Sequence, residues 1–343
     1  MTNDTFNAVT LLDLQKRLAP NGGLDSDVIE VLARSNPIMQ DIKWMQGNLP
    51  TGIQTTQRSS IPEPGLRRIN KGVQHQKSTT KQITDTCCIL ETRSLVDVEA
   101  LALIDAGDRE AYRRSEDAAF VEGFGVKVAR NIFYGEVDGT EETFNGLSVR
   151  YPVIGGKMNE DAGYQVVSGG STTDSINTTA FLVGWGNHHT MGIYPKGSTA
   201  GLKMRDLGEL DAFDDEKGRY RAVSTLFTYK PGLTVRDIRS NALVRNINAA
   251  TLANLTSEQG FNLMKKLIIA KNRIRNLQGG SAKYIWYVSR SLYDWIEIYQ
   301  HDKNNVHVTR QESQGNLPTL FISGIPVQRC DEIMETEALY PTV

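Results

Sequence analysis

Apolar positions recur at helical spacing in several stretches of the chain. Ala118, Val121, Phe124, Val128 and Ile132 follow one another at intervals of three and four, which places their side chains on one face of a helix. Asp108 is positioned to cap that helix and Gly135 to stop it after Tyr134, because a short acceptor side chain and a residue without Cβ favour those two ends. The helix would span roughly 40 Å at the usual helical rise, long enough to cross a domain. Before it, Leu95, Val98, Leu101 and Ala102, extended by Leu103 and Ile104, predict a shorter helix broken at Gly107. Thr256-Ser257-Glu258-Gln259 is a capping-box pattern. It opens an apolar stripe of Phe261, Met264, Leu267, Ile268, Ile274 and Leu277 that Gly279-Gly280 would end. Leu292, Trp295, Ile296 and Tyr299 predict a further helix.

Between the helices the period changes to two. Phe181, Val183 and Trp185 alternate, Asn187-His188-His189 reads as a turn, and Thr190 to Tyr194 follows, so a hairpin is predicted. Ala222 to Tyr229 and Leu233 to Ile238 read as strands about the turn Pro231-Gly232, Tyr284 to Val288 as a short buried strand, and Leu320 to Arg329 as a strand kinked at Gly324-Ile325-Pro326. The mixture of helices and strands predicts an α+β fold.

The first quarter of the chain has a different character. Val9 to Leu18 and Asp25 to Arg34 read as two short helices separated by Pro20-Asn21-Gly22-Gly23, and Asn36-Pro37 ends the second. Two such helices bury little apolar surface on their own, so residues 1–45 form an arm that must pack on something else. Residues 46–92 are rich in Thr, Ser, Gln, Pro and Gly, with few large apolar residues and no helical period. Ile53 to Arg58 and Thr79 to Leu90 favour strand, which speaks against a disordered linker and predicts a long two-stranded excursion. An isolated hairpin is marginal in water, so the excursion calls for a supporting surface on another subunit.

Composition changes this picture little. The chain has 343 residues, 39% of them apolar and 23% charged, an ordinary globular balance with enough apolar residues for a sizeable core. Its formal net charge of −2 argues against a protein that coats nucleic acid directly, which would also show a steep salt dependence of DNA affinity. Cys87, Cys88 and Cys330 are odd in number and two are adjacent, so thiols in a reducing cytoplasm are expected rather than a disulfide framework. The N-terminus shows no basic stretch followed by an apolar core, and no apolar run approaches the ~20 residues of a membrane span.

Chemistry-bearing motifs are missing. Gly156-Lys157 is followed by Met158, and Tyr151 stands where a phosphate loop needs its first glycine. There is no G-x-G-x-x-G, no G-x-S-x-G elbow, no H-E-x-x-H and no C-x-x-C. Asp214-Asp215-Glu216 and Glu116-Asp117 read as solvated faces rather than general acid–base pairs, and the aromatic residues of 284–299 as core rather than a stacking platform. No catalytic residue, metal ligand or cofactor site is predicted, and the chain is not expected to be an enzyme. The pattern that remains is charge. From Arg58 to Lys81 six bases (Arg58, Arg67, Arg68, Lys71, Lys77 and Lys81) face one acid, Glu63. From Glu91 to Glu122 nine acids, among them Glu99, Asp108, Glu110, Glu116, Asp117 and Glu122, face four bases. A basic excursion and an acidic helical surface would match between neighbouring subunits and set their register.

The order of pieces (arm, long hairpin, long helix, mixed sheet, returning strand) resembles the HK97-like fold of tailed-phage capsid proteins. Gly184-Trp185-Gly186, Gly192-Ile193-Tyr194-Pro195-Lys196-Gly197, Gly201-Leu202 with Asp206-Leu207-Gly208, Gly232-Leu233-Thr234-Val235-Arg236-Asp237 and Gly324-Ile325-Pro326-Val327-Gln328-Arg329-Cys330-Asp331 are similar to the major capsid proteins of short-tailed phages of the epsilon15 type. The resemblance implies an N-terminal arm over 1–45, an extended hairpin or E-loop over 46–92, a P-domain over 93–150 carrying a spine helix near 108–134, an A-domain mixed sheet with flanking helices over 151–310, and a C-terminal return to the P-domain over 311–343. It also implies a major capsid protein that forms pentamers and hexamers of itself in an icosahedral virion shell around double-stranded DNA, assembled in the host cytoplasm. A portal is an expected partner, and so is a separate scaffolding protein, since only about 45 residues precede the E-loop; a decoration protein is left open. Covalent cross-linking through Lys71 or Lys77 is not predicted. An encapsulin-like compartment shell is the alternative within the fold, and a metal-dependent enzyme centred on His188 and His189 is the alternative of another class.

Overall fold

The computed structural model describes residues 36–58, 62–158, 161–213, 217–275, 277, 282–301, 308–313 and 316–342. The two arm helices expected before residue 35 lie outside this set, as do Asp214-Asp215-Glu216 and Gly279-Gly280. In chain order the elements are α1 (Ile38–Asp41), β1 (Trp44–Gln46), β2 (Gly52–Arg58), β3 (Thr80–Thr86), β4 (Leu90–Asp97), α2 (Val98–Ala102), α3 (Arg109–Tyr134) and α4 (Leu147–Arg150). Then come β5 (Val166–Ser168), β6 (Asn177–Trp185), β7 (Thr190–Tyr194), β8 (Lys203–Phe213), β9 (Arg219–Tyr229), β10 (Gly232–Val235) and β11 (Ala242–Asn248). The last are α5 (Ser257–Arg273), β12 (Lys283–Val288), α6 (Arg290–Gln300), β13 (Val308–Ser313), β14 (Asn316–Ile322) and β15 (Ile325–Arg329).

The described chain divides into two units. The first comprises residues 89–128 and 201–231. Its antiparallel sheet has the order β4-β9-β8, with β4 paired to β9 from Leu90↔Tyr229 to Asp97↔Ala222. Val96, Leu101, Ile104 and Tyr112 form a small core against Ala100 and Val223. Phe120 of α3 stacks on Phe227 of β9 with ring centroids 5.5 Å apart, and Phe124 lies 6.4 Å from the same ring. The Asp97 side chain caps α2 by accepting the Glu99 N–H at 2.9 Å.

This packing corrects the predicted apolar stripe of α3. Phe124, Val128 and Ile132 are buried as expected, but Ala118 and Val121 are exposed and Tyr112 is buried instead. The buried positions step back from Ile132 in fours, a row that leans around the helix, whereas the sequence reading moved back in threes after Phe124. Leu95 also departs from the reading, lying in β4 and not in the short helix.

The second unit comprises residues 35–88, 129–200 and 232–343. Its ten-stranded mixed sheet runs β1-β7-β6-β12-β15-β14-β13, with β10 on β7 and with β11 joining β6 to β5. Strand β6 is buried at every position, as a strand covered on both faces must be. Leu263, Met264 and Leu267 of α5 and Leu292, Trp295 and Ile296 of α6 pack with Ala180, Leu182, Val244 and Trp286 of the sheet. The capping box of α5 is present as read, with the Thr256 hydroxyl and the Gln259 side chain each accepting the other's backbone N–H. The helix ends at Arg273, where Ile274 turns extended (ψ 127) yet stays buried, so the stripe outlasts the helix.

The predicted 181–194 hairpin does not form. β6 and β7 share one parallel bridge, Trp185↔Thr190. β6 has β11 and β12 as neighbours, and β7 has β1 and β10, so neither keeps an edge for the other. Residues 201–231 group with 89–128, because β9 pairs along the whole of β4. The C-terminal strand β15 pairs parallel to β12, and the segment after it meets the end of α3, where the Tyr134 hydroxyl accepts the Met334 N–H at 3.1 Å and donates to Glu337.

Candidate assembly surfaces

In the second unit β2 and β3 pair antiparallel from Gly52↔Thr86 to Arg58↔Thr80. The predicted strand stretch 79–90 therefore splits: its first part completes this hairpin, and Leu90 opens β4. The root of the hairpin is fixed by a polar cluster. Asp85 is 5% exposed, and its carboxylate accepts from the Arg150 guanidinium at 2.8 Å and from the Thr234 hydroxyl at 2.6 Å. Arg150 also donates to the Leu233 carbonyl at 3.0 Å and the Asn145 carbonyl at 3.1 Å, so both members of this buried pair are satisfied. Gln57 donates to the Val235 and Arg236 carbonyls. Gly232 meets Cys87 in an isolated bridge, and a Cβ there would come within 2.9 Å of Cys87 Sγ, Ile193 Cγ1 and the Thr86 carbonyl, so glycine is needed for this approach. Burial pushes the Cys87 and Cys330 thiols up to about 12, leaving them protonated and unreactive at neutral pH.

Beyond the paired strands the described part of the hairpin is bare. Residues 62–82 are exposed without exception, and 71–79 are outside any strand. Leu66 is 101% and Ile69 92% exposed, and the turn over 68–71 that carries Ile69 is closed by the Lys71 N–H on the Arg68 carbonyl at 3.1 Å. Arg67, Arg68, Lys71 and Lys77 lie on this exposed stretch, and Arg58 and Lys81 flank it at the ends of β2 and β3.

The acidic residues predicted as their counterpart do not make one uniform face. In the first unit Glu99 and Glu110 are exposed, Glu110 pairing with Arg114 one helical turn on at 3.2 Å. Asp108, Glu116, Asp117 and Glu122 are half-buried. Asp117 engages the side chains of Ser94 and Thr225 and lies beside Arg113; burial, outweighing those partners, raises its carboxyl above the usual range. It therefore serves the interior of the unit. No sequence signal marked the Asp85–Arg150–Thr234 cluster, whose members stand 65 and 149 positions apart.

His188 is exposed and His189 half-buried at the turn between β6 and β7. Burial lowers the His189 imidazole below its ordinary value, against the pull of Asp237. Among the described residues no cluster of His, Cys, Asp and Glu is arranged to hold a metal ion. No described helix is long and apolar enough to cross a membrane.

The second unit thus joins a buried sheet and its helices to a hairpin anchored at its root and exposed beyond it. No curated protein matches the chain. The bacteriophage epsilon15 structure is similar at TM-score 0.74 and 25% identity over 100% of both chains. The bacteriophage JBD30 capsid shares the fold at TM-score 0.52 and 10% identity, over 89% of this chain and 93% of that one. A Synechococcus elongatus encapsulin is less similar, with TM-score 0.42 and 11% identity over 71% of this chain and 97% of that one. The sequence model of the family described as major capsid protein GP7 matches residues 19–340. The chain therefore belongs to that family of tailed-phage major capsid proteins, with an HK97-like fold, and its role is to form the virion shell and not to catalyse a reaction.

Proposed function

We propose that copies of this chain assemble as pentamers and hexamers into an icosahedral head around double-stranded DNA, each laying its 46–92 hairpin across a neighbour. The supporting observation is the contrast within that hairpin: a root held by Asp85, Arg150 and Thr234, and a distal stretch, 62–82, exposed throughout with Leu66 and Ile69 bare. Covering those two side chains would contribute about 1.5–3 kcal/mol each, and a closed shell repeats the contact so that many must fail together for it to come apart. Arg58, Arg67, Arg68, Lys71, Lys77 and Lys81 meet the acidic surface of a second copy, with Glu99 and Glu110 its exposed members. In this reading the first unit is the peripheral part of the subunit and the ten-stranded sheet the axial part. A portal and a separate scaffolding protein complete assembly in the host cytoplasm. Neutralising Arg67, Arg68 and Lys71 together tests the charge matching: fewer or less heat-stable particles are expected, and normal particles with unchanged thermal release of DNA would refute it.

A further inference from the structure

An open cleft of about 860 Å³ lies within the second unit, where the outer ends of β2 and β3 face the segment after β10. Arg58, Lys81, His188, Arg236 and Arg239 line it, and Asp237 is the one acid among its lining residues. Asp237 is already committed. Its two carboxylate oxygens accept from Arg239 Nε at 2.9 Å and Nη2 at 3.0 Å, and the Arg239 backbone N–H adds a third bond at 3.0 Å. Burial opposes its ionisation, but these bonds outweigh that and hold its carboxyl below the usual range. Arg58, Lys81 and Arg236 are left with no ion-pair partner among the described residues, and the Arg236 Nε is buried without a hydrogen bond. The other end of that guanidinium is held, donating to the Asn187 carbonyl at 2.7 Å and to the Met45 sulfur at 3.7 Å. The side chain is thus positioned and still short of an acceptor.

We propose that this cleft binds carboxylates of a second copy of the chain, so that the hairpin is gripped at the outer ends of β2 and β3 as well as along its exposed stretch. The inference rests on the shell reading, which supplies the second copy. Charge complementarity favours that source: the same sequence carries exposed acids such as Glu99, and in a shell of identical copies a neighbour can present such a carboxylate to this cationic cleft. Geometry favours it too. The Arg239–Asp237 fork shows the cleft already accommodating a carboxylate side-on to a guanidinium.

Treating assembled particles with a carbodiimide, which joins an amine to an adjoining carboxylate as an amide with loss of water, tests this directly. The expected product is a two-chain species in which Lys81 is linked to an Asp or Glu, formed in particles and absent from unassembled subunits. Lys81→Arg should keep the particles and lose that link, and Arg58→Glu with Lys81→Glu should lower particle yield at least tenfold. Particles in which Lys81 forms no interchain link, or links only to Asp237 within one chain, would overturn the proposal. So would protection of Lys81 that appears in DNA-filled particles and vanishes in emptied ones, which would identify a phosphodiester as the occupant. Failure of the unaltered chain to form particles at all would instead overturn the shell reading, and this proposal with it.

Discussion

Arg150 and Glu337 show how single side chains carry this fold. Arg150 is buried against Asp85 with side-chain exposures of 14% and 4%. Removing one partner of such a pair strands the other without compensation, so Arg150→Ala should cost about 3–5 kcal/mol, read as a lower denaturant midpoint; a loss below 1 kcal/mol would show that the hairpin root is held otherwise. Glu337 is 5% exposed and accepts from the Tyr134 and Thr179 hydroxyls. Burial raises its carboxyl above the usual range, against the pull of those bonds and of Arg245. The folded state therefore binds this proton more tightly than the unfolded chain does. Its contribution is full below the ordinary carboxylate pKa and declines as pH rises from there to the raised value. Glu337→Gln should flatten the fall in Tm over that interval, and an unchanged slope would assign the pH dependence to other groups.

At the scale of elements, the hairpin makes its own prediction. Arg67, Arg68 and Lys71 stand on fully exposed backbone, so trypsin should cut there rapidly in unassembled subunits and at least tenfold more slowly in shells; equal rates would mean the stretch stays uncovered. Much of this level was legible in the sequence. The capping box at Thr256, the long helix to Tyr134 and the two strands of the excursion all follow from local chemistry, a period or a cap that acts within a few residues. What was not legible is decided by distant partners. The turn at Asn187-His188-His189 looks like a hairpin turn, but whether flanking strands pair depends on which other strands claim their edges, here β11, β12, β1 and β10. Likewise Ala118 and Val121 fit the helical period, yet the position of the Phe227 ring selected Phe120 and Phe124. The basic loop residues could be named in advance, whereas Arg236 could not, since it joins Arg58 and Lys81 only through the pairing of β10 with β7.

For the molecule as a whole, the polar and apolar patterns divide the labour. The ten-stranded sheet and its two helices form a self-sufficient core, while residues 62–82 contribute nothing to it. A chain that spends so much of its length outside its own core gains from association what it forgoes in folding, and a near-neutral net charge leaves little repulsion between copies. Electron microscopy of the purified, expressed full-length chain at high concentration tests this most directly. Closed icosahedral shells should appear, with density for the 46–92 hairpin lying on an adjoining copy. Compact monomers whose hairpin folds back onto its own subunit would contradict the account.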